Sequence, residues 1–337
     1  MAKQHIVIIS PASAKANNGN WQTANRWARF LRARYKVTFA PAADDLPADL
    51  VSPDAIIALH ARRSAPALAA FAVKYPTLPS ILVLTGTDLY RDIRTDRDAQ
   101  RSLQLATRMV VLQDAGLHEL SDDLRAKTRV VYQSAPTLIP SARKLHARHF
   151  DVVMVGHLRD EKDPLTFMRA AALVTTPRVR TTHIGGALDP ALAAQAEATQ
   201  RMQPRYRWLG NLAHGATRQR LKRSHLMVIA SRMEGGANVI IEAVTSGVPV
   251  LASDISGNRG MLGDDYAGYF PLGDQRALAQ LIDRAASDNI FYDQLVRQCA
   301  ARAALFAPAC EQAAVLQLVD NLLNNSRDLR DSHDTQE

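Results

Sequence analysis

The stretch HLMVIASRMEGGANVIIEAVTSGVPVLAS, residues 225–253, contains a strand, a turn, a helix and a second strand in direct succession. HLMVIAS and PVLAS are mainly apolar, and a helical pattern begins near Ala237. Strands that are continuous apolar runs joined by helices are typical of a parallel sheet covered on both faces. This stretch therefore predicts an α/β fold with parallel strands.

The same alternation runs along the chain in two series. The first series of strands is HIVIIS, KVTFA, AIIALH, SILVLTG, MVVLQ and TRVVYQS, and the second is DVVMVGH, RTTHIGG, RYRWLG, HLMVIAS, PVLAS and GYFPL. Between them PTLIPSARKLHARHF breaks the pattern and is the expected linker. A chain of 337 residues fits two domains, and open parallel sheets bind ligands at the carboxyl ends of their strands. We expect a first domain over 1–140, a second over 150–305, a helix over 306–325 that could cross back to the first domain, and a mobile tail over 326–337.

The charge balance favours an anionic ligand. Lysine and arginine number 41 against 33 acidic residues, so the net charge is +8. Nucleic acid, membrane phosphates and a small anion would all suit this charge. The arginines are scattered, with no run of like charge and no interleaved aromatic stripe, which favours a small anion over nucleic acid or a membrane.

The cysteines and the hydropathy bear on the compartment. Cys299 and Cys310 are the only cysteines and have neither zinc spacing nor a disulfide framework, which fits a reducing cytosol. No apolar run approaches the roughly 18 residues of a membrane span. We therefore expect a soluble, unprocessed, cytoplasmic protein.

Two carboxylates flank a glycine pair in the quoted stretch. Glu234 precedes Gly235 and Gly236, and Glu242 follows inside the predicted helix. Amides at a helix start attract an anion, and carboxylates there would repel it unless they hold hydroxyl groups. Sugars and riboses supply such hydroxyls. The alternative is an ordinary strand-to-helix turn with two solvated glutamates.

A second charged pair lies in VGHLRDEKDP. Arg159 and Lys162 follow a strand three residues apart, so both can point to one side. Two cations there could neutralise a leaving diphosphate without a metal. A solvated helix start is the alternative. The scattered His157, His183, His214 and His225 are interpreted as structural.

The spacing from Glu234 to Glu242, followed by SGVPVLAS, resembles the E-x7-E signature of GT-B glycosyltransferases similar to family 4. VGHLRDEKDP is similar to that family's G-R-L-x-x-x-K-G loop, and RYRWLGN to its segment beside the nucleobase. The resemblance implies a GT-B fold, two Rossmann-like parallel-sheet domains facing a cleft. It also implies that the first glutamate contacts the donor sugar and the second the nucleotide ribose. The usual Phe-Gly-Leu-Pro filling is here Gly-Ala-Asn-Val, so contacts from loop amides transfer more safely than side-chain contacts. The donor-binding residues implied are Gly19, Arg159, Lys162, Leu209, Glu234, Gly235, Gly236, Ala237, Asn238 and Glu242.

The first domain has polar motifs at the ends of its strands, ANNGNWQTA, LHARRSA, LTGTDLYRDI and VVYQSAP. Together they resemble the selenosugar synthases of selenoneine biosynthesis, which join selenophosphate to the sugar of a UDP-sugar. The resemblance implies UDP-GlcNAc or UDP-glucose as donor, selenophosphate as acceptor, and neither cofactor nor metal. The acceptor-binding residues are then Asn18, Asn20, Arg62, Arg63, Thr85, Arg91 and Gln133. The catalytic residues are then His60, Asp88 and Glu234.

Two other functions stay open at this point. One is an ordinary retaining glycosyltransferase that transfers the sugar to a hydroxyl group. The other is a non-catalytic protein that binds a nucleotide sugar or nucleic acid, which the high pI suggests. The anomeric stereochemistry, the preferred UDP-sugar and the oligomeric state are not fixed by the sequence.

Overall fold

The computed structural model describes residues 3–11, 19–41, 53–140 and 148–334, and the side chains up to residue 324 in the last helix. The chain divides into two compact units, Met1–Gln133 with Pro308–Glu337, and Ser134–Ala307. The first unit therefore ends at Gln133, seven residues before the position that the sequence suggested. None of the helices in these described ranges is both long and apolar enough to cross a membrane.

The first unit is built on a six-stranded parallel sheet with the order β2-β1-β3-β4-β5-β6. Its strands are β1 His5–Ser10, β2 Lys36–Pro41, β3 Ala55–Leu59, β4 Ser80–Leu84, β5 Arg108–Val111 and β6 Thr128–Val130. Its helices are α1 Gly19–Leu31, α2 Ala65–Lys74, α3 Ile93–Thr95, α4 Arg97–Leu105, α5 Asp122–Ala126 and α13 Pro308–Asp334. A π-helical turn, Asp88–Asp92, precedes α3, and a 3₁₀ turn covers Asp114–Glu119.

The second unit has its own six-stranded parallel sheet, in the order β12-β11-β10-β7-β8-β9. Its strands are β7 Phe150–Val155, β8 Val179–Ile184, β9 Tyr206–Trp208, β10 Leu226–Ile229, β11 Val250–Ser253 and β12 Tyr269–Phe270. Its helices are α6 Pro164–Leu173, α7 Pro190–Met202, α8 His214–Arg223, α9 Asn238–Val244, α10 Ser256–Leu262, α11 Gln275–Ser287 and α12 Asn289–Arg302. Short 3₁₀ turns cover Asp160–Lys162 and Ala303–Phe306.

Both faces of the first sheet are covered, as the apolar strands predict. Alternate residues of β1 point to opposite faces, so Ile6 and Ile8 lie in one core cluster and Val7 and Ile9 in the other. The first cluster includes α1 and the last helix, α13. Its buried residues from α13 are Val315, Leu318, Val319, Leu322 and Leu323.

The last helix is tied to the first unit by a buried ion pair as well. The Arg26 Nε lies 2.6 Å from a carboxylate oxygen of Glu311, and the Trp27 indole donates to the other oxygen at 2.8 Å. The helix continues to Asp334, where the sequence suggested a tail from 326. A helix that tertiary packing has already formed extends at low cost, because each further residue adds one hydrogen bond.

Each sheet has a point where the strand order reverses. In the first sheet it lies between β1 and β3, and in the second between β7 and β10. Ligands of open α/β sheets bind outside the carboxyl ends of the strands at this point. The loops that follow β3, β7 and β10 are therefore the places to look for a site.

Candidate active site

An ion pair joins the loops after β7 and β10. Lys162 lies in the 3₁₀ turn Asp160–Lys162, and its Nζ contacts Oε1 of Glu234. Glu234 is buried, and the Lys162 side chain is mostly so. The two residues are 72 positions apart in the sequence but meet at the reversal point of the second sheet. The structure thus brings together one residue from each of the two motifs that the sequence singled out.

The backbone around this pair is packed too closely for other residues at two glycines. A Cβ on Gly257 of α10 would lie 1.8 Å from the carbonyl oxygen of Glu234. A Cβ on Gly185, after β8, would lie 1.8 Å from the carbonyl oxygen of Gly156. These close approaches fix the backbone at the start of both loops.

His183 contacts the backbone of the loop after β7. Its Nε2 lies 3.0 Å from the carbonyl of Gly156, and its Nδ1 lies 3.1 Å from the hydroxyl of Tyr206. The carbonyl only accepts, so Nε2 carries the proton and the tyrosine donates to Nδ1. Burial lowers the pKa of His183 from 6.5 to about 4. The interpretation of His183 as structural agrees with these contacts.

The second carboxylate of the E-x7-E motif also has a partner from another loop. Glu242 lies on α9 and is buried, and its Oε1 is 2.6 Å from Nε2 of His214, the first residue of α8. A carboxylate can only accept, so Nε2 donates. Sequence analysis had interpreted His214 as structural, and this contact places it in the candidate site.

The two pairs explain how two acids can lie beside a site for an anion. A lysine ammonium opposes the charge of Glu234, and an imidazole N–H donates to Glu242. Each carboxylate has further acceptor positions, and those can hold hydroxyl groups. The arrangement suits a ligand that carries both hydroxyls and phosphate.

The remaining donor-side residues lie near these pairs along the chain. Arg159 is 3.9 Å from a carboxylate oxygen of Glu161 and is partly exposed. Gly235, Gly236 and Ala237 form the turn before α9, which begins at Asn238 and has only seven residues. The Leu209 N–H donates to the carbonyl of His183 at 2.9 Å, so this amide is already used within the sheet.

His60 lies at the carboxyl end of β3 in a strained conformation. Its φ of 74° is in the left-handed region, which costs a residue other than glycine about 1–3 kcal/mol. Nδ1 accepts the Arg63 N–H at 3.3 Å, and Nε2 lies 3.1 Å from the hydroxyl of Thr87. The side chain is buried.

The pKa of His60 is lowered, first because of burial. The nearby Arg63 and Arg62 lower it further, while Asp88 and Asp92 oppose the shift. The ring is therefore neutral near pH 7, with its proton on Nε2.

Asp88 holds the loops after β3 and β4 together. Its carboxylate is fully buried and accepts from the backbone N–H groups of Ala61, Thr85 and Gly86, each at 2.9 Å. The Thr85 hydroxyl adds a contact at 3.3 Å. Three backbone amides from two loops bind this one carboxylate, so these contacts give Asp88 a structural role. Its assignment as a catalytic residue stays a prediction.

Asp92 forms ion pairs with two of the arginines that are predicted to bind the acceptor. Its carboxylate lies 3.1 Å from Nε of Arg62 and 3.0 Å from Nε of Arg91. It is buried, whereas both arginine side chains are nearly half exposed. The same carboxylate is 4.0 Å from Nε2 of His60. Asp92 lies within the LTGTDLYRDI motif, but sequence analysis did not single it out, because its pairing with Arg62 depends on the fold.

The other acceptor-side residues are less closely grouped. The Gln133 amide donates to the Thr23 hydroxyl on α1, close to the helix start at Gly19 and Asn20. The Thr23 hydroxyl also donates to the carbonyl of Gly19 at 2.9 Å. Asn18 lies outside the described residues.

Residues 140–304 match the family described as "Glycosyl transferases group 1". The match spans nearly all of the second unit, including both carboxylates of the E-x7-E motif and the loop of Lys162. The second unit is thus similar to this family of transferases.

Solved structures show the same fold over the whole chain. Sucrose-phosphate synthase from Thermosynechococcus elongatus is 17% identical with a TM-score of 0.77, and the alignment covers 96% of this chain and all of that one. HepE from Anabaena, solved with UDP-glucose, is 16% identical with a TM-score of 0.75 over 94% of this chain and 99% of its own. The pneumococcal O-GlcNAc transferase GtfA, solved with UDP and GlcNAc, is 16% identical with a TM-score of 0.66 over 80% of this chain and 57% of its own. The chain has the GT-B fold, with two Rossmann-like parallel-sheet domains.

Proposed function

We propose that this chain is a glycosyltransferase that uses a UDP-sugar, UDP-GlcNAc or UDP-glucose, as its donor. The family match of the second unit supports the transferase class, and the UDP ligands of HepE and GtfA support the donor. In this proposal Glu242 holds the ribose and Glu234 orients the hexose. Arg159 and Lys162 bind the diphosphate.

Lys162 has a specific part in this scheme. In the structure it pairs with Glu234, and its aliphatic chain lies beside Gly156. A donor diphosphate beside Lys162 would share the ammonium with Glu234. The lysine would then stabilise the charge that develops on the leaving UDP, which is the electrostatic contribution that such transfers need.

The acceptor proposed is selenophosphate, which makes the enzyme a selenosugar synthase. The observation that carries this is the cluster at the end of β3 in the first unit, where Asp92 gathers Arg62 and Arg91, with Arg63 nearby. Selenophosphate is small and carries about two negative charges at neutral pH by analogy with phosphate esters. Guanidinium groups match its oxygens in shape and charge.

The reaction balances in two steps. Selenium attacks C1 of the sugar as the C1–O bond to UDP breaks, which gives a sugar selenophosphate and UDP. Water then attacks phosphorus and the P–Se bond breaks, releasing phosphate and the selenol. The selenium is already anionic, so the first step needs no general base. His60 is assigned the proton transfer of the second step, through the Thr87 hydroxyl that it contacts.

The test is incubation of the protein with selenophosphate and either UDP-GlcNAc or UDP-glucose, followed by mass spectrometry. The expected products are UDP, phosphate and a sugar that contains one selenium atom. Glu242→Gln should form them far more slowly. UDP release only when a carbohydrate with free hydroxyls is supplied would favour the hydroxyl-transferring enzyme instead. Failure to bind UDP or any UDP-sugar in calorimetry would end the proposal as a whole.

A further inference from the structure

The contact between His214 and Glu242 joins two neighbouring helices, α8 and α9. His214 is the first residue of α8 and Glu242 the fifth residue of α9, and the two are 28 positions apart in the sequence. The His214 side chain is 46% exposed, and that of Glu242 only 11%. A nearly buried carboxylate is thus held by an imidazole that still reaches solvent.

The two oxygens of Glu242 differ in their surroundings. Oε1 accepts from Nε2 of His214 at 2.6 Å, a short hydrogen bond. Within the described part of the chain, Oε2 makes no hydrogen bond, and it is not shielded from solvent either. Because Oε2 reaches solvent, a ligand hydroxyl can donate to it in place of water. The pair therefore leaves Oε2 of Glu242 available to accept a hydrogen bond from a ligand.

We propose that His214 is a positioning residue for nucleotide binding. It fixes the orientation of Glu242 through Oε1, so that Oε2 accepts from the ribose hydroxyls of a uridine diphosphate. The inference rests on the proposed function, since it places a UDP-sugar in the second unit. Holding the carboxylate in its bound orientation removes the entropy that binding would otherwise lose.

The inference makes a prediction that depends on the ligand as well as on the protein. If His214 acts through Glu242 on the ribose, its removal matters only when the ligand has ribose hydroxyls. If His214 instead stabilises α8, or contacts the phosphates, its removal affects every uridine diphosphate equally. The two explanations separate in a cycle of two ligands and two proteins.

The experiment is calorimetry at one pH with UDP and with 2′,3′-dideoxyuridine 5′-diphosphate. The unaltered protein should bind UDP more tightly than the dideoxy ligand. His214→Ala should weaken UDP binding by about tenfold, the change that loss of one charge-assisted hydrogen bond produces. The affinity for the dideoxy ligand should stay the same. His214→Gln, whose amide can donate to Oε1, should restore UDP binding to within about threefold.

Gln219→Ala, an exposed change on the same helix, is the matched control and should bind both ligands like the unaltered protein. An equal loss for both ligands in His214→Ala, or no loss for either, overturns the inference while leaving the proposed function intact. Failure of the unaltered protein to bind UDP removes both. Thermal melting checks the fold, and the glutamine variant decides the matter if His214→Ala is poorly folded.

Discussion

The carboxyl edges of the two sheets distribute charge in opposite ways. In the second unit two carboxylates, Glu234 and Glu242, each meet one nitrogen donor from a different loop. In the first unit one carboxylate, Asp92, meets two guanidinium groups, while the other, Asp88, is bound by backbone amides. An edge with carboxylate acceptors suits a ligand with hydroxyls, and an edge with excess cations suits a small anion. One parallel-sheet fold thus provides two different ligand chemistries through its loops alone.

Removing a charge from the second edge should have the largest effect on activity. Lys162→Ala and Glu242→Gln should each lower kcat/KM by about 100–1,000-fold, because each removes one of the proposed contacts to the UDP-sugar. Steady-state release of UDP measures this. Glu197→Gln, an exposed change on α7, should leave the rate unchanged. Near-normal turnover in either site variant would mean that this edge does not hold the donor.

Buried histidines lie behind the edges of both sheets, and His183 of the second sheet gives a prediction about stability. Burial lowers the pKa of His183 from 6.5 to about 4. In the pH window between these two values the imidazole stays neutral in the folded protein but takes up a proton in the unfolded chain. The unfolded state then binds more protons, and stability falls as pH decreases through that window. Between pH 7 and pH 5 the loss from this one group is about 2 kcal/mol.

Urea unfolding at pH 7 and pH 5 measures this loss. His183→Gln should be less stable than the unaltered protein at pH 7, but should lose about 2 kcal/mol less on acidification, because the replaced side chain does not titrate. The comparison cancels the contributions of the other titrating groups. An identical pH dependence of the two proteins would show that His183 is charged in the folded state or exchanges readily with solvent.

The sequence was sufficient for the fold and for part of the site. Alternating apolar strands and helices predicted the parallel sheets, and the structure confirms them. The prediction was possible because a strand that is buried on both faces is a continuous apolar run, which can be recognised in the sequence. Glu234 and Glu242 are only eight positions apart, so the turn and the helix that carry them could be predicted from one short stretch of sequence. His214 and Asp92 could not be found in this way. His214 pairs with Glu242, and Asp92 pairs with Arg62 as well as with its neighbour Arg91. Only the strand order brings Glu242 and Arg62 close to them.

Changing the cations of the first edge should have a smaller and more selective effect. Arg62→Ala and Arg91→Ala should each raise the KM for selenophosphate by about tenfold and leave the KM for the UDP-sugar unchanged, since each arginine is one of several cations near the acceptor. Arg94→Ala, which lies in the same segment but pairs with Glu119, is the control and should change neither constant. A rise in the KM for the UDP-sugar alone would assign the cluster to the donor diphosphate. The division of the two edges into hydroxyl-binding and anion-binding sides would then be wrong, because both cations and carboxylates would serve the nucleotide.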